Sequence, residues 1–178
     1  MHLLFILAAV VCVGVVIVIG LAAQKPDEFR MQRSAVMKAD AGNIFPHIND
    51  FHNWAAWSPF EKLDRNMTKT FTGAASGRGS IYEWSGNKKA GAGRMEIVES
   101  SPPDKVTIQL EFLKPFKAKN TIEFTLLPRG DSTEVTWAMH GSLSFAMKVM
   151  HVFVNMDRMI GRDFEEGLNN LTAVVQKP

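Results

Sequence analysis

Between Ser144 and Val175 the large apolar residues fall at Val149, Phe153, Met156, Ile160, Phe164, Leu168, Leu171 and Val175, in steps of three and four. That spacing draws one face of a helix. Asp157, Arg158, Arg162, Glu165, Glu166 and Asn169 lie mostly off the stripe, and Ser144 is placed to cap its start. One helix over this span would be roughly 45 Å long. A single amphipathic helix cannot bury its stripe alone, and the residues before it supply a sheet as partner.

Those residues alternate with period two. In Lys105 to Leu113, Val106, Ile108, Leu110 and Phe112 face one way, and Thr107, Gln109 and Glu111 the other. Phe116 to Leu127 sets Ile122, Phe124 and Leu126 against Thr121, Glu123 and Thr125, while Ser132 to His140 puts Val135, Trp137 and Met139 on one side. Met67 to Phe71, Ile81 to Trp84 and Arg94 to Glu99 are shorter strands bounded by Gly73–Gly79, Ser85-Gly86-Asn87-Lys88 and Pro102-Pro103. Glu28 to Met37 is a strand that precedes them all. Between it and Met67 the sequence predicts a short helix through Ile44, Phe45 and Ile48, with Asp40 or Asn43 as cap and Pro46 in its first turn. A second short helix covers Phe51 to Trp57 and is stopped by Ser58-Pro59, and residues 61–66 read as polar loop. One polar face per strand describes an antiparallel sheet half open to water. Gly91, Gly93 and Gly141 are placed to curve it. The fold class is α+β: a curved antiparallel sheet of about seven strands around the C-terminal helix.

The chain begins differently. Leu3 to Ala23 is 21 residues without a charge, long enough as a helix to cross the roughly 30 Å hydrocarbon core of a bilayer. A cleaved signal peptide would carry a basic start and a shorter apolar core; here only Met1 and His2 precede the run, although Gly20, Ala22 and Ala23 would permit cleavage. The expected organisation is therefore an anchor over residues 1–24 and a folded domain over residues 25–178. Lys25, Arg30, Arg33 and Lys38 all follow the span and no Lys or Arg precedes it. The positive-inside rule then puts the domain on the cytoplasmic side of a single-pass membrane protein, with a periplasmic or other extracytoplasmic position as the alternative.

Composition and charge narrow the function by exclusion. A formal net charge of +2, with no basic run interleaved with aromatics, gives no footprint for nucleic acid. Cys12, the one cysteine, sits in the apolar segment and leaves no intramolecular disulfide. His2, His47, His52, His140 and His151 show no metal-ligand spacing, and no nucleophile elbow is present. No metal and no cofactor is expected. Gly77-Arg78-Gly79 and Gly91-Ala92-Gly93 precede strands rather than helices, so they read as turns and not phosphate loops.

In combination, several segments resemble the START-like, or SRPBCC, superfamily, in particular its bacterial polyketide cyclase/dehydrase and lipid transport group. They are Ile44-Phe45 with Ile48-Asn49-Asp50, Trp54 and Trp57-Ser58-Pro59; Gly77-Arg78-Gly79 before Tyr82-Glu83-Trp84; Gly91-Ala92-Gly93-Arg94-Met95; Glu99 with Pro102-Pro103; and Thr136-Trp137 followed by Met156-Asp157 and Asp163-Phe164-Glu165. The match spans roughly residues 29 to 175; it departs at Asp40, where a proline often follows the alanine. The resemblance implies the helix-grip fold, in which sheet and helix enclose an apolar cavity. It does not imply one activity, since such folds serve carriers, cyclases and protein-binding modules.

Alternation alone describes a filled core; the resemblance turns the same residues into the wall of a binding site. The expected wall is Trp57, Tyr82, Trp84, Met95, Ile97, Ile108, Leu110, Ile122, Phe124, Trp137 and Met139, with Met156 and Ile160 from the helix and Asn120 as polar candidate beside Tyr82. The first expectation is a membrane-anchored carrier or sensor of a hydrophobic small molecule or lipid, without catalytic residues. The second is a cyclase or dehydratase drawing on Tyr82, Glu83, His52 or Asp157, with Glu83 on the wrong side of its strand. The third is a protein-interaction module. It would use Phe145 to Phe153, a methionine-rich segment apolar on more than one face that could also cap the cavity or touch a bilayer.

Overall fold

The computed structural model describes residues 1–176. Helix α1 (His2–Ala23) leads into strand β1 (Glu28–Met37), helix α2 (Ala41–Asn49) and two 3-10 turns, Phe51–Ala56 and Pro59–Lys62. Six strands follow: β2 (Thr68–Gly73), β3 (Ser80–Ser85), β4 (Ala92–Ser101), β5 (Lys105–Lys114), β6 (Ala118–Arg129) and β7 (Ser132–Ser142). The chain ends in α3 (Phe145–Phe153) and α4 (Met156–Val175).

All seven strands form one antiparallel sheet in the order β1-β7-β6-β5-β4-β3-β2. Hairpins join β2 through β7, and β1 closes the far edge by pairing Glu28–Met37 with Thr133–Ser142. Curvature has a local cause in β4. Gly91 has φ +63°, a backbone state that a side chain resists, and the β4–β5 register shifts between Ala92 and Gly93. The sheet wraps α4, which buries Gly161, Phe164, Gly167, Leu168 and Leu171 against it. A Cβ at Gly167 would stand 2.7 Å from Cζ3 of Trp137, so the missing side chain lets the helix approach β7.

Four sequence expectations are corrected here. The long helix over Ser144–Val175 is broken in two. Val154 (φ −122°, ψ 127°) and Asn155 (φ −82°, ψ 90°) are extended, and the Asn155 side chain accepts the Arg158 N–H at 2.9 Å. An asparagine satisfying the first amides of a new helix competes with continuation of the old one, and an apolar stripe does not register that competition. Ser144 does cap α3, accepting from the Met147 N–H. Pro46 lies inside α2 rather than in its first turn, because the helix already starts at Ala41. The second short helix is a 3-10 turn capped by Asp50, which accepts the His52 N–H at 2.9 Å, and part of the expected polar loop is a further 3-10 turn.

Helix α1 stands apart from this core. Its large side chains are exposed all round, from Leu4 and Phe5 to Ile19 and Leu21, and mean hydropathy over Leu4–Ala23 is 3.2. Only its end joins the domain. Ala22 is fully buried, α1 packs against α3, the Leu143 N–H donates to the Asp27 carbonyl at 2.7 Å, and buried Lys148 of α3 donates to the Asp27 carboxylate. That lysine holds the Asp27 carboxyl below its usual range.

Candidate functional site: an apolar cavity between sheet and helix

Register across the sheet builds the site row by row. Tyr82, Met95, Leu110 and Asn120 are successive cross-strand partners from β3 to β6, continuing to Gly141 and Phe29. On one side of this row lie Trp84, Gly93, Phe112 and Ala118. On the other lie Ile97, Ile108, Ile122, Met139 and Met31, and beyond them Val106, Phe124 and Trp137. Alternation gives every one of these the same concave face.

Helix α4 does not fill that face. A cavity of about 430 Å³ remains between it and the sheet, within the usual range of about 300–1,000 Å³ for small-molecule sites. Ten of the expected residues line it: Tyr82, Trp84, Met95, Leu110, Asn120, Ile122, Trp137, Met139, Met156 and Ile160. Trp57, Ile97, Ile108 and Phe124 do not. They are wholly buried at the closed end, where the rings of Trp54 and Trp57 pack edgewise on Phe124 at 6.0 and 6.1 Å. Their strand parity is right, but Ile97 and Ile108 share one cross-strand row with Ile122 and Met139, so neither parity nor row tells which residues the cavity reaches.

Several lining residues lie outside the expected set. Phe29 and Met31 come from β1, whose own alternation aims them inward and would have identified them. Met147 and His151 of α3, and Met159, Asp163 and Phe164 of α4, form the helical side. Trp54, Phe60 and Glu61 come from the 3-10 turns and Ser58 from the link between them, and a polar run read as loop gave no sign that Glu61 points inward. A smaller cleft of about 180 Å³ opens at the α3–α4 break and shares Phe29, Met31, His151 and Met156 with the main cavity.

The polar groups of the wall are few. The Tyr82 hydroxyl donates to Oε1 of Glu61 at 2.7 Å, and Lys69 pairs with the other carboxylate oxygen. Burial, and then the adjoining carboxylate, push the Tyr82 phenol far above its ordinary pKa. Burial also raises the Asp163 carboxyl, with Glu166 adding to it, and lowers His151, with Lys25 adding to that. Of the other titratable candidates, Glu83 is exposed on the convex face. His52 binds Asp50 at 2.8 Å and stacks on Phe71 outside, and Asp157 pairs with Arg33 at 3.2 Å. Among the described residues, no group of three or more His, Cys, Asp or Glu could hold a metal ion.

The four tryptophans differ in their hydrogen bonding. Trp54, Trp57 and Trp84 each donate their indole N–H to a backbone carbonyl, of Ile48, His47 and Ala90, at 2.9–3.0 Å. The Trp137 N–H has no partner among the described residues, and neither do Ser58 Oγ and Asn120 Oδ1. All three residues line the cavity.

Comparison with known proteins agrees with this architecture. The chain belongs to the polyketide cyclase / dehydrase and lipid transport family, whose profile matches residues 28–176. A search of curated proteins finds no match. Among solved structures, a protein of Thermobifida fusca shares 19% identity at a TM-score of 0.60, over 82% of this chain and 92% of that one. Ginseng major latex-like protein 151 from Panax ginseng shares 15% at 0.60, over 85% of this chain and 100% of its own. A protein from Chromobacterium violaceum shares 14% at 0.60, over 86% and 100%. At such identities the likeness shows the fold, which is the START-like helix-grip fold expected from the sequence.

Proposed function

We propose that this protein is a membrane-anchored carrier or sensor that holds a hydrophobic small molecule or lipid between its sheet and α4. The observation that carries the reading is a largely apolar cavity of about 430 Å³ inside a fold whose family includes lipid transport. Burial of apolar ligand surface would drive binding at about 25 cal/mol per Å².

Anchoring is supported by the continuous apolar surface of α1, and retention of that segment by the burial of Ala22 in the folded domain. The basic residues after the span favour a cytoplasmic domain. Helix α3 then links membrane and cavity. One side packs on α1, Met147 and His151 face the cavity, and Phe145 and Phe153 are exposed. Such a helix lies at the bilayer surface beside the smaller cleft, on the path a ligand would take. The test is transfer of a fluorescent lipid from donor vesicles into the full chain held in nanodiscs. Uptake that depends on the cavity supports the reading, and absence of uptake across a lipid and fatty-acid panel removes it.

One observation favours a second reading. Tyr82 and Glu61 are hydrogen-bonded in the cavity wall, and such a pair could serve as acid and base in a cyclase or dehydratase. Glu61 is already neutralised by Lys69 and the Tyr82 proton is tightly held, which ranks this reading second. Under it, Glu61→Gln would abolish turnover of a bound substrate while leaving its uptake intact.

A further inference from the structure

The two ends of the sheet differ in charge. One end carries the β3–β4 and β5–β6 turns. Residues 84–93 and 112–122 there hold five lysines, Lys88, Lys89, Lys114, Lys117 and Lys119, and no Asp or Glu. All five are exposed. Lys119 pairs with Glu111 at 2.6 Å, and the other four make no ion pair among the described residues. The two turns touch, since a Cβ on Gly91 would collide with the Lys114 carbonyl and stand 3.6 Å from Cδ of Pro115. Among these lysines Phe116 is 72% exposed. Residues 62–66, beside the β3–β4 turn, add Lys62 and Arg65 against Asp64. The opposite end is balanced: its links and the adjoining Arg129 set Lys38, Arg78 and Arg129 against Asp40, Asp104 and Asp131.

The lysine end is the one at which α1 enters. Glu28, the first residue of β1, pairs with Ser142, the last of β7, and Phe29 pairs with Gly141, whose other partner is Asn120 near the start of β6. Gln24 to Asp27 alone separate α1 from this edge, and four residues reach at most about 14 Å. By strand spacing the β5–β6 turn lies roughly 12 Å and the β3–β4 turn roughly 22 Å from β1 along the sheet. Resting on the anchoring part of the proposed function, we propose that this end of the sheet docks on the bilayer that holds α1 and binds the headgroups of anionic lipids, with Phe116 entering the interface. Lysines clustered close to a span are drawn to an anionic leaflet, and the attraction fades within a Debye length. The short tether keeps them near it. An exposed phenylalanine gains by burying its ring at the headgroup–acyl boundary. A nucleic acid or an acidic protein would meet the same charges, but neither accounts for Phe116 or for the tether. Trp84, Ala90, Phe112 and Ala118 of the same end line the cavity, so docking seats that end of the cavity against lipid.

The test is amide hydrogen exchange on the full chain in phosphatidylcholine nanodiscs, with phosphatidylglycerol added or left out. Exchange over residues 86–91 and 114–118 should be at least about fivefold slower in the anionic discs, and high salt should erase the difference. Residues 102–104 and 129–131, at the opposite end, should exchange alike in both. Lys88→Gln combined with Lys114→Gln and Lys117→Gln should abolish the protection. Lys89 is kept, because it lines the cavity. Phe116→Ser, with every lysine in place, should weaken the protection. Equal exchange in neutral and anionic discs, or protection that survives loss of the three lysines, would overturn this docking and leave α1 as an anchor. Protection by duplex DNA added to neutral discs, with none from anionic lipid, would overturn it in favour of nucleic acid. A chain that does not enter nanodiscs and is stripped from membranes by alkaline carbonate would remove the anchor and this inference with it.

Discussion

The ring of Trp137 on β7 lies flat on the ring of Phe164 on α4, with centroids 4.2 Å apart and planes 9° from parallel. This stack joins helix to sheet beside the cavity. Its lower face is the aromatic cluster of Trp54, Trp57 and Phe124, all within 6.4 Å of Trp137. The same indole that is fixed by packing on its faces has an N–H with no partner.

Phe164 is almost fully buried, so Phe164→Ala should lower the unfolding free energy by about 3–4 kcal/mol. Urea denaturation followed by tryptophan fluorescence measures it. A loss below about 1 kcal/mol would mean that the helix is not held through this stack.

Gly167→Ala tests the closeness of the same contact. Its Cβ would meet the rigid Trp137 ring at 2.7 Å and Pro59 Cδ at 3.2 Å. The helix must shift outward, at a cost of about 1–3 kcal/mol, even though alanine favours helix over glycine. A more stable variant in thermal melts would contradict this packing.

Tyr82 is the sole tyrosine, so its ionisation is readable by absorbance near 295 nm. Burial and Glu61 raise its folded pKa above the unfolded value of about 10. The unfolded chain therefore ionises first, and stability should decline as pH rises past that value. The folded protein should show no phenolate at pH values where the urea-unfolded chain shows it fully, and Tyr82→Phe should flatten this part of the pH–stability curve. A folded midpoint near the ordinary value would place Tyr82 in solvent.

Most of the fold was legible from the residues. Period-two alternation located the strands and their concave faces, because half-buried strands must alternate. The helix break was hidden. Val149, Phe153 and Met156 continue the stripe, while the break turns on one Asn155 side chain binding the Arg158 amide. At the site, parity assigned faces but not which residues of a face the cavity reaches: Ile122 and Met139 line it, while Ile108, the cross-strand partner of Ile122, and Phe124 are covered. Glu61 was invisible because its inward direction is set by a 3-10 turn and by partners from distant strands, Tyr82 and Lys69. The unmet N–H of Trp137 has no sequence signal at all; it is the remainder left after every other tryptophan has found a carbonyl.

Helix α3 offers a test of membrane contact. Phe145 and Phe153 are exposed at 52% and 71%, and substitution there should spare the core. Phe145→Asp with Phe153→Asp should slow lipid uptake from vesicles about fivefold or more, because interfacial docking scales with buried apolar area. Thermal stability should stay within about 0.5 kcal/mol, as for surface changes elsewhere. Unchanged transfer kinetics would take α3 away from the bilayer.

The central claim is that the cavity is occupied by an apolar molecule in the cell. Native mass spectrometry of the full chain, released gently from membranes and compared with Ala118→Trp, tests it most directly. Ala118 lines the cavity, so an indole there fills space without touching the aromatic cluster. The account predicts a stoichiometric adduct on the natural chain, extractable into organic solvent, and its loss from a folded Ala118→Trp protein. A natural chain without adduct, which also takes up nothing from lipids, fatty acids and long-chain alcohols, would contradict it.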